Sequence, residues 1–113
     1  MTTTFTPSVH DDIAILEISG PLLGGEETDA LREAFQDLID KKRSKLVVDL
    51  CSVRFINSMA IGVFMATYAS YVRRGWKIKI CNLSKEVNVI FAVTKMNQVY
   101  DIHDSRAKAL AAF

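Results

Sequence analysis

A chain of 113 residues suits one domain and is too short for two ordinary ones, and half of it is apolar, enough for a real core. Its 14 basic and 13 acidic residues leave a formal charge of +1, which excludes an electrostatic nucleic-acid binder as the default reading. The opening MTTTFTPSVHDD has no basic stretch followed by an apolar one, and no window approaches the roughly 20 apolar residues of a membrane span, so neither a signal peptide nor membrane insertion is expected.

The elements follow in order. Phe5 to His10 pairs with a strand at Asp12 to Ser19 through a turn at His10-Asp11-Asp12, and Gly20-Pro21 ends that strand. From Glu26 to about Lys41, Ala30, Leu31, Ala34, Phe35, Leu38 and Ile39 form one stripe at helical period. Glu26 and Glu27 in its first turn and Lys41-Lys42-Arg43 after its last complement the helix dipole, which makes the basic run a solvated helix end. Lys45 to Leu50 is apolar almost throughout, as in a sheet centre.

After an irregular segment, a helix at 58–74 is apolar around most of its circumference and is expected to be the most buried. Gly75 is its stop. Trp76 to Cys81 alternates as a strand with Lys77 and Lys79 on the wetter face. Ser84 caps a helix at 84–94 with the stripe Val87, Ile90, Phe91 and Thr94. Val99 to Ile102 is a last strand, and Asp104 or Ser105 caps a helix at 104–112. The order predicts an α/β domain over residues 1–113, with a mixed sheet of four or five strands and about four helices. The expected core comprises Leu31, Phe35, Leu38, Val47, Val48, Ile61, Phe64, Ile78, Ile80, Ile90 and Phe91.

Little of the usual site chemistry is present. No His or Cys pair has metal-ligand spacing, and Gly24-Gly25 followed by Glu26-Glu27 has the wrong charge for a phosphate loop, so neither metal nor cofactor is expected. Cys51 and Cys81 lie in strand-like runs and read as reduced core thiols, consistent with a cytoplasmic location. A small enzyme with Cys51 or Ser58 as nucleophile is a reading of another class, weakened by peripheral His10 and His103. The run Asp49 to Gly62, DLCSVRFINSMAIG, stands apart: it leaves a central strand and places Ser58 at the head of the apolar helix. In open α/β sheets this carboxyl end is where function tends to sit. Residue chemistry alone makes Ser58 an N-cap.

The same run resembles the signature of the STAS domain, in which a strand ending in Asp-Leu leads to Asp-Ser-Ser-Gly at the head of a helix. The match is Asp49-Leu50, Val53, Phe55-Ile56 and Asn57-Ser58-Met59-Ala60-Ile61-Gly62, with Gly20-Pro21-Leu22 similar to the family's Gly-x-Leu after the second strand. Asn57, Met59 and Ala60 replace the family's Asp, second Ser and Gly, which removes a charge and leaves one hydroxyl. The free-standing length resembles the bacterial anti-sigma-factor antagonists. The resemblance implies a non-enzymatic regulatory protein that binds an anti-sigma factor, a serine kinase of the histidine-kinase-like ATPase fold. It implies Ser58 as phosphoacceptor, and a serine phosphatase as a further partner. Gly20, Leu22, Gly24, Asn57, Ser58, Met59, Ile61 and Gly62 are the expected partner-binding residues. The alternative within the fold is an unphosphorylated scaffold subunit of a stress-sensing or transporter-ATPase complex, in which Ser58 only caps.

Overall fold

A strand apolar at nearly every position needs cover on both faces, and the chain supplies that cover with helices of unequal length. The computed structural model describes residues 2–113. Its five-stranded sheet runs β1 (Thr4–His10), β2 (Ile13–Ser19), β3 (Lys45–Ser52), β4 (Lys77–Cys81) and β5 (Asp101–His103), in that spatial order. β1 is antiparallel to β2, and every later pair is parallel. Helices α1 (Gly25–Asp40), α2 (Ser58–Arg73) and α3 (Lys85–Val93) make the crossovers and cover one face. The short α4 (Arg106–Ala111) covers the other, where Ala109, Leu110 and Phe113 pack on Ile13, Ile15, Val47 and Cys81.

The larger core is centred on Phe64 of α2. Its ring makes edge-to-face contacts with Phe35 of α1, Phe91 of α3 and Tyr100, at centroid distances of 5.5, 6.3 and 6.2 Å. The Tyr100 hydroxyl donates to the Phe64 carbonyl at 2.6 Å. One side chain thus ties three helices and the approach to β5 together.

The hairpin closes through a two-residue turn at Asp11 and Asp12, with Asp11 at φ 55°. Such a turn makes His10 and Ile13 a hydrogen-bonded pair. Alternation along the ladder then places Pro7, opposite Leu16, where its backbone faces the outer edge of the sheet.

Several expectations need correction. Lys79 is not on a wet face: it is buried on the α4 side, paired with Asp101 and lying 5.0 Å from the Phe113 ring centre. Alternation marked its face correctly, but α4 covers that face. Helix α2 buries only the stripe Ala60, Val63, Phe64, Thr67 and Tyr71, leaving Met59, Met65 and Val72 exposed. Ile61 is half-buried against the edge of the core, Ile90 is half-buried, and Thr94 is the exposed C-cap of α3. A 3₁₀ turn at Met96–Gln98 delays β5 to Asp101. Of the two caps expected for α4, Ser105 is the one used. Cys51, past the cover of α4 at the end of β3, is exposed, whereas Cys81 is buried.

Truncation of the centre should be costly. Phe64→Ala and Leu31→Ala should each lose about 2–5 kcal/mol in a denaturant titration, Phe64 the more. Losses below about 1 kcal/mol at both would remove Phe64 from the centre of the core.

Candidate functional site

The carboxyl ends of parallel strands leave unpaired backbone groups, which the following loops must satisfy. Here the β2–α1 and β3–α2 loops satisfy each other. Gly20 N–H donates to Ser52 O at 3.0 Å, Leu22 N–H to Phe55 O at 2.9 Å, and Asn57 N–H to Leu22 O at 2.9 Å. Leu22 and Ile56 form an isolated parallel bridge, as if the sheet continued for one more residue. Gly20 permits this path: its φ is +110°, and an added Cβ would lie 2.9 Å from Thr3 Cα.

The head of α2 is capped by Asn57, not by Ser58. Asn57 Oδ1 accepts the Ala60 N–H at 2.8 Å, while Asn57 Nδ2 donates to the Leu23 carbonyl at 2.7 Å. One amide therefore caps the helix and pins the neighbouring loop, a pair of bonds that a carboxylate could not both make. Ser58 is freed from capping. It occupies the first helical position with an exposed side chain. The N–H groups of Ser58 and Met59 have no protein acceptor among the described residues and point out of the helix end.

Of the residues expected at the site, Ser58, Met59 and Gly62 lie at the surface, Gly24, Asn57 and Ile61 are half-buried beside them, and Gly20 is half-buried behind. Gly24 is the N-cap of α1, and its N–H donates to Glu27 Oε2 at 3.1 Å. Leu22 is wholly buried, its side chain part of the core, and the surface at that point is Leu23. Sequence reasoning passed over Leu23 and Phe55, which are exposed with Met59 around Ser58. The available signal was their place in loops, outside any strand or helix period that would bury them.

Gly62 poses a question the fold does not answer. It lies within α2, where glycine costs about 1 kcal/mol relative to alanine. An added Cβ would meet nothing within 4 Å. Nothing in this chain requires the glycine.

Behind the loops, Asp49 is buried at the end of β3. Its carboxylate accepts from Arg106 Nε at 2.9 Å, Asn82 Nδ2 at 3.1 Å and the Cys51 N–H at 3.1 Å, and Arg106 also reaches Glu17 at 2.6 Å. Burial pushes the Asp49 pKa up, but the bonds from Asn82, Arg106 and the Cys51 N–H together outweigh it and hold the carboxyl below its ordinary value. Cys81 and His103 are register partners on β4 and β5, yet burial pushes the Cys81 thiol up to about 12, which leaves no thiolate for nucleophilic chemistry there. No helix of the described residues is long and apolar enough to cross a membrane, and no cluster of three metal-ligating side chains occurs among them.

The capping geometry sets an order of effects. Asn57→Ala should lose roughly 1–2 kcal/mol and Ser58→Ala less than about 0.5 kcal/mol, by thermal or denaturant unfolding. Equal losses would return the capping role to Ser58. Asp49 makes a second test. Because its folded pKa is depressed, its contribution is present above the ordinary carboxylate range and is lost as pH falls through it, below about pH 4. Arg106→Gln should flatten that acid loss in urea midpoints measured across pH, and an unchanged profile would show that Arg106 does not hold the carboxylate.

The family model of the STAS domain matches residues 5–109. An anti-sigma F factor antagonist of Paenibacillus polymyxa is 22% identical over 102 residues, which are 89% of this chain and 86% of that protein. The crystal structure of an anti-sigma factor antagonist from Mycobacterium paratuberculosis superposes with a TM-score of 0.89 at 20% identity, covering 98% of this chain and 93% of that one. The anti-sigma factor antagonist SpoIIAA in its unphosphorylated form gives 0.74 at 12% identity, covering 96% and 94%. The Bacillus cell fate determinant SpoIIAA in the phosphorylated form gives 0.73 at 12%, covering 96% and 97%.

Proposed function

The chain belongs to the STAS domain family, and from that premise we propose that it is an anti-sigma-factor antagonist switched by phosphorylation of Ser58. The observation that carries this reading is the division of labour at the head of α2. Asn57 does the capping, so the exposed Ser58 hydroxyl has no structural task. Around it, Leu23, Phe55 and Met59 offer an apolar docking face on loops already locked together. Gly62, one turn below Ser58, is accounted for by a partner whose backbone or side chain comes close at that point.

The partner is an anti-sigma factor that is itself an ATP-dependent serine kinase of the histidine-kinase-like fold. Ser58 Oγ attacks the γ-phosphorus of ATP, a new O–P bond forms, the bond between the γ-phosphorus and the bridging oxygen breaks to release ADP, and the hydroxyl proton passes to a carboxylate base of the kinase or to solvent. A serine phosphatase reverses the step by hydrolysis. The phosphate adds about −1.5 to −2 charges at a helix N-terminus whose free N–H groups and dipole accommodate it, so the domain stays folded. The docked partner does not tolerate it. An unpaired charge forced into a buried contact costs about 2–5 kcal/mol, roughly 30- to 5,000-fold in affinity. That the unphosphorylated and phosphorylated forms of SpoIIAA match this chain about equally well agrees with a fold that survives the modification.

The test pairs intact mass with titration calorimetry against a purified serine kinase of the histidine-kinase-like ATPase fold from the same organism. Wild type should gain one phosphate with ATP, and Ser58→Ala none while binding as before. Ser58→Glu should fold normally and bind at least about tenfold more weakly. Gly62→Ala should gain up to about 1 kcal/mol in stability yet bind more weakly. If no phosphate appears and Ser58→Glu binds like wild type, the switch is absent and the domain is a constitutive scaffold.

A further inference from the structure

The cations of this chain are unevenly placed. Helices α1 to α3 run against the parallel strands, so their carboxyl ends gather beside the amino ends of β3 and β4, opposite Ser58. The loops after α1 and α2 are bonded to each other: Lys77 N–H donates to Ser44 O at 2.9 Å and the Tyr71 hydroxyl to Arg43 O at 2.8 Å. On and beside these loops stand Lys42, Arg43, Arg73, Arg74 and Lys77, none with a carboxylate partner among the described residues. Lys95 joins them from the end of α3.

Each acid at this end has a nearer partner than the six cations. Asp37 holds Lys41 at 3.0 Å, Asp12 holds Lys45 at 2.8 Å, Asp40 accepts from Gln36 at 2.9 Å, and Asp11 lies 3.6 Å from His10. Among the remaining basic residues, only Lys85 lacks an ion pair within the described structure, and it lies at the other end, at the start of α3.

Helix dipoles explain part of this distribution, chiefly Arg73 in the last turn of α2. The dipole favours Lys42 and Lys95 as cations too, yet does not explain why both stand in left-handed backbone, at φ 58° and 62°, just past α1 and α3. Glycine suits that position best, and Gly75 takes it after α2 at φ 71°. Two lysines therefore stand where glycine would be less strained, both at the cationic end.

The shape of this end favours one kind of partner. A discrete phosphate ligand needs donors that converge. The recess between α1 and α2 takes in Arg73 with Arg32, and the one under Pro7 and Val9 takes in Arg43 with Lys41, but Arg32 and Lys41 are already held by Asp29 and Asp37, which leaves one unpaired cation in each. Between the cations lie exposed Val72 and half-buried Trp76, with the Arg74 guanidinium 5.4 Å above its ring. Dispersed cations with a little apolar and indole surface among them fit a diffuse anionic plane.

We propose that the end of the molecule bearing Lys42, Arg43, Arg73, Arg74, Lys77 and Lys95 adsorbs to the surface of an anionic lipid bilayer, without insertion. Adsorption there turns Ser58 and its docking face toward solution, so a partner can be held at the same time.

The experiment is co-sedimentation with vesicles of phosphatidylcholine mixed with phosphatidylglycerol, against phosphatidylcholine alone. Wild type should bind the mixed vesicles only and be released by high salt. The double variant Lys42→Gly/Lys77→Gln should bind roughly 25-fold more weakly, about fivefold for each cation. Since Lys42→Gly relieves a left-handed lysine, unfolding cannot account for that loss, and circular dichroism checks it. Lys85→Gln removes the same charge from the opposite end and should bind like wild type. The proposal is overturned if wild type shows no preference for the anionic vesicles, or if Lys85→Gln weakens binding as much as the double variant. It is overturned equally if the double variant loses affinity only for an acidic protein partner.

Discussion

Everything at the head of α2 depends on the helix being held still, and Phe64 holds it. A single ring in edge contact with Phe35, Phe91 and Tyr100 fixes the rotation of α2 about its axis. Once that rotation is set, the positions of Ser58, Met59 and Gly62 on the outer surface follow from the helical period alone. The same constraint decides that Met65 and Val72 face outward. A helix this apolar is normally enclosed; here its core face is packed tightly and its outer face is left bare.

The second level of order is the seam between the two loops. Backbone bonds through Leu22 and Asn57 extend the parallel pairing of β2 and β3 past the ends of the strands, and the Asn57 amide adds a side-chain bond to Leu23. Docking on such a surface loses little loop entropy, because the loops are ordered before a partner arrives. It also explains how Leu22 and Leu23 divide their work. One fills the core under the seam and its neighbour supplies apolar surface above it.

Much of this was legible in the residues. Stripes at helical period placed α1 and α3, and the apolar run Lys45 to Leu50 announced a central strand, because those patterns depend on local geometry. Two of the misreadings turned on a group distant in sequence. Asn57 and Ser58 are both good caps, and the choice between them involves the Leu23 carbonyl on another loop. Lys79 alternates like a solvent-facing residue, but α4, folded from the last residues, roofs that side of the sheet. Apolar character all round α2 reads as burial, whereas part of it is surface. Ser58 stands out by its place after a central strand and by resemblance, not by any local chemistry.

The edge of the sheet carries a last consequence. An outer strand presents a row of free backbone donors and acceptors that invites another chain to pair with it. In β1 the backbone of Pro7 faces outward and has no hydrogen to give, so the outward donors of Phe5 and Val9 are separated by a gap. A strand laid along that edge would lose the bond in its middle and meet the proline ring. The protein is thereby kept from growing by sheet extension, and association is left to side-chain surfaces, whose contacts can be made and undone without rebuilding the sheet.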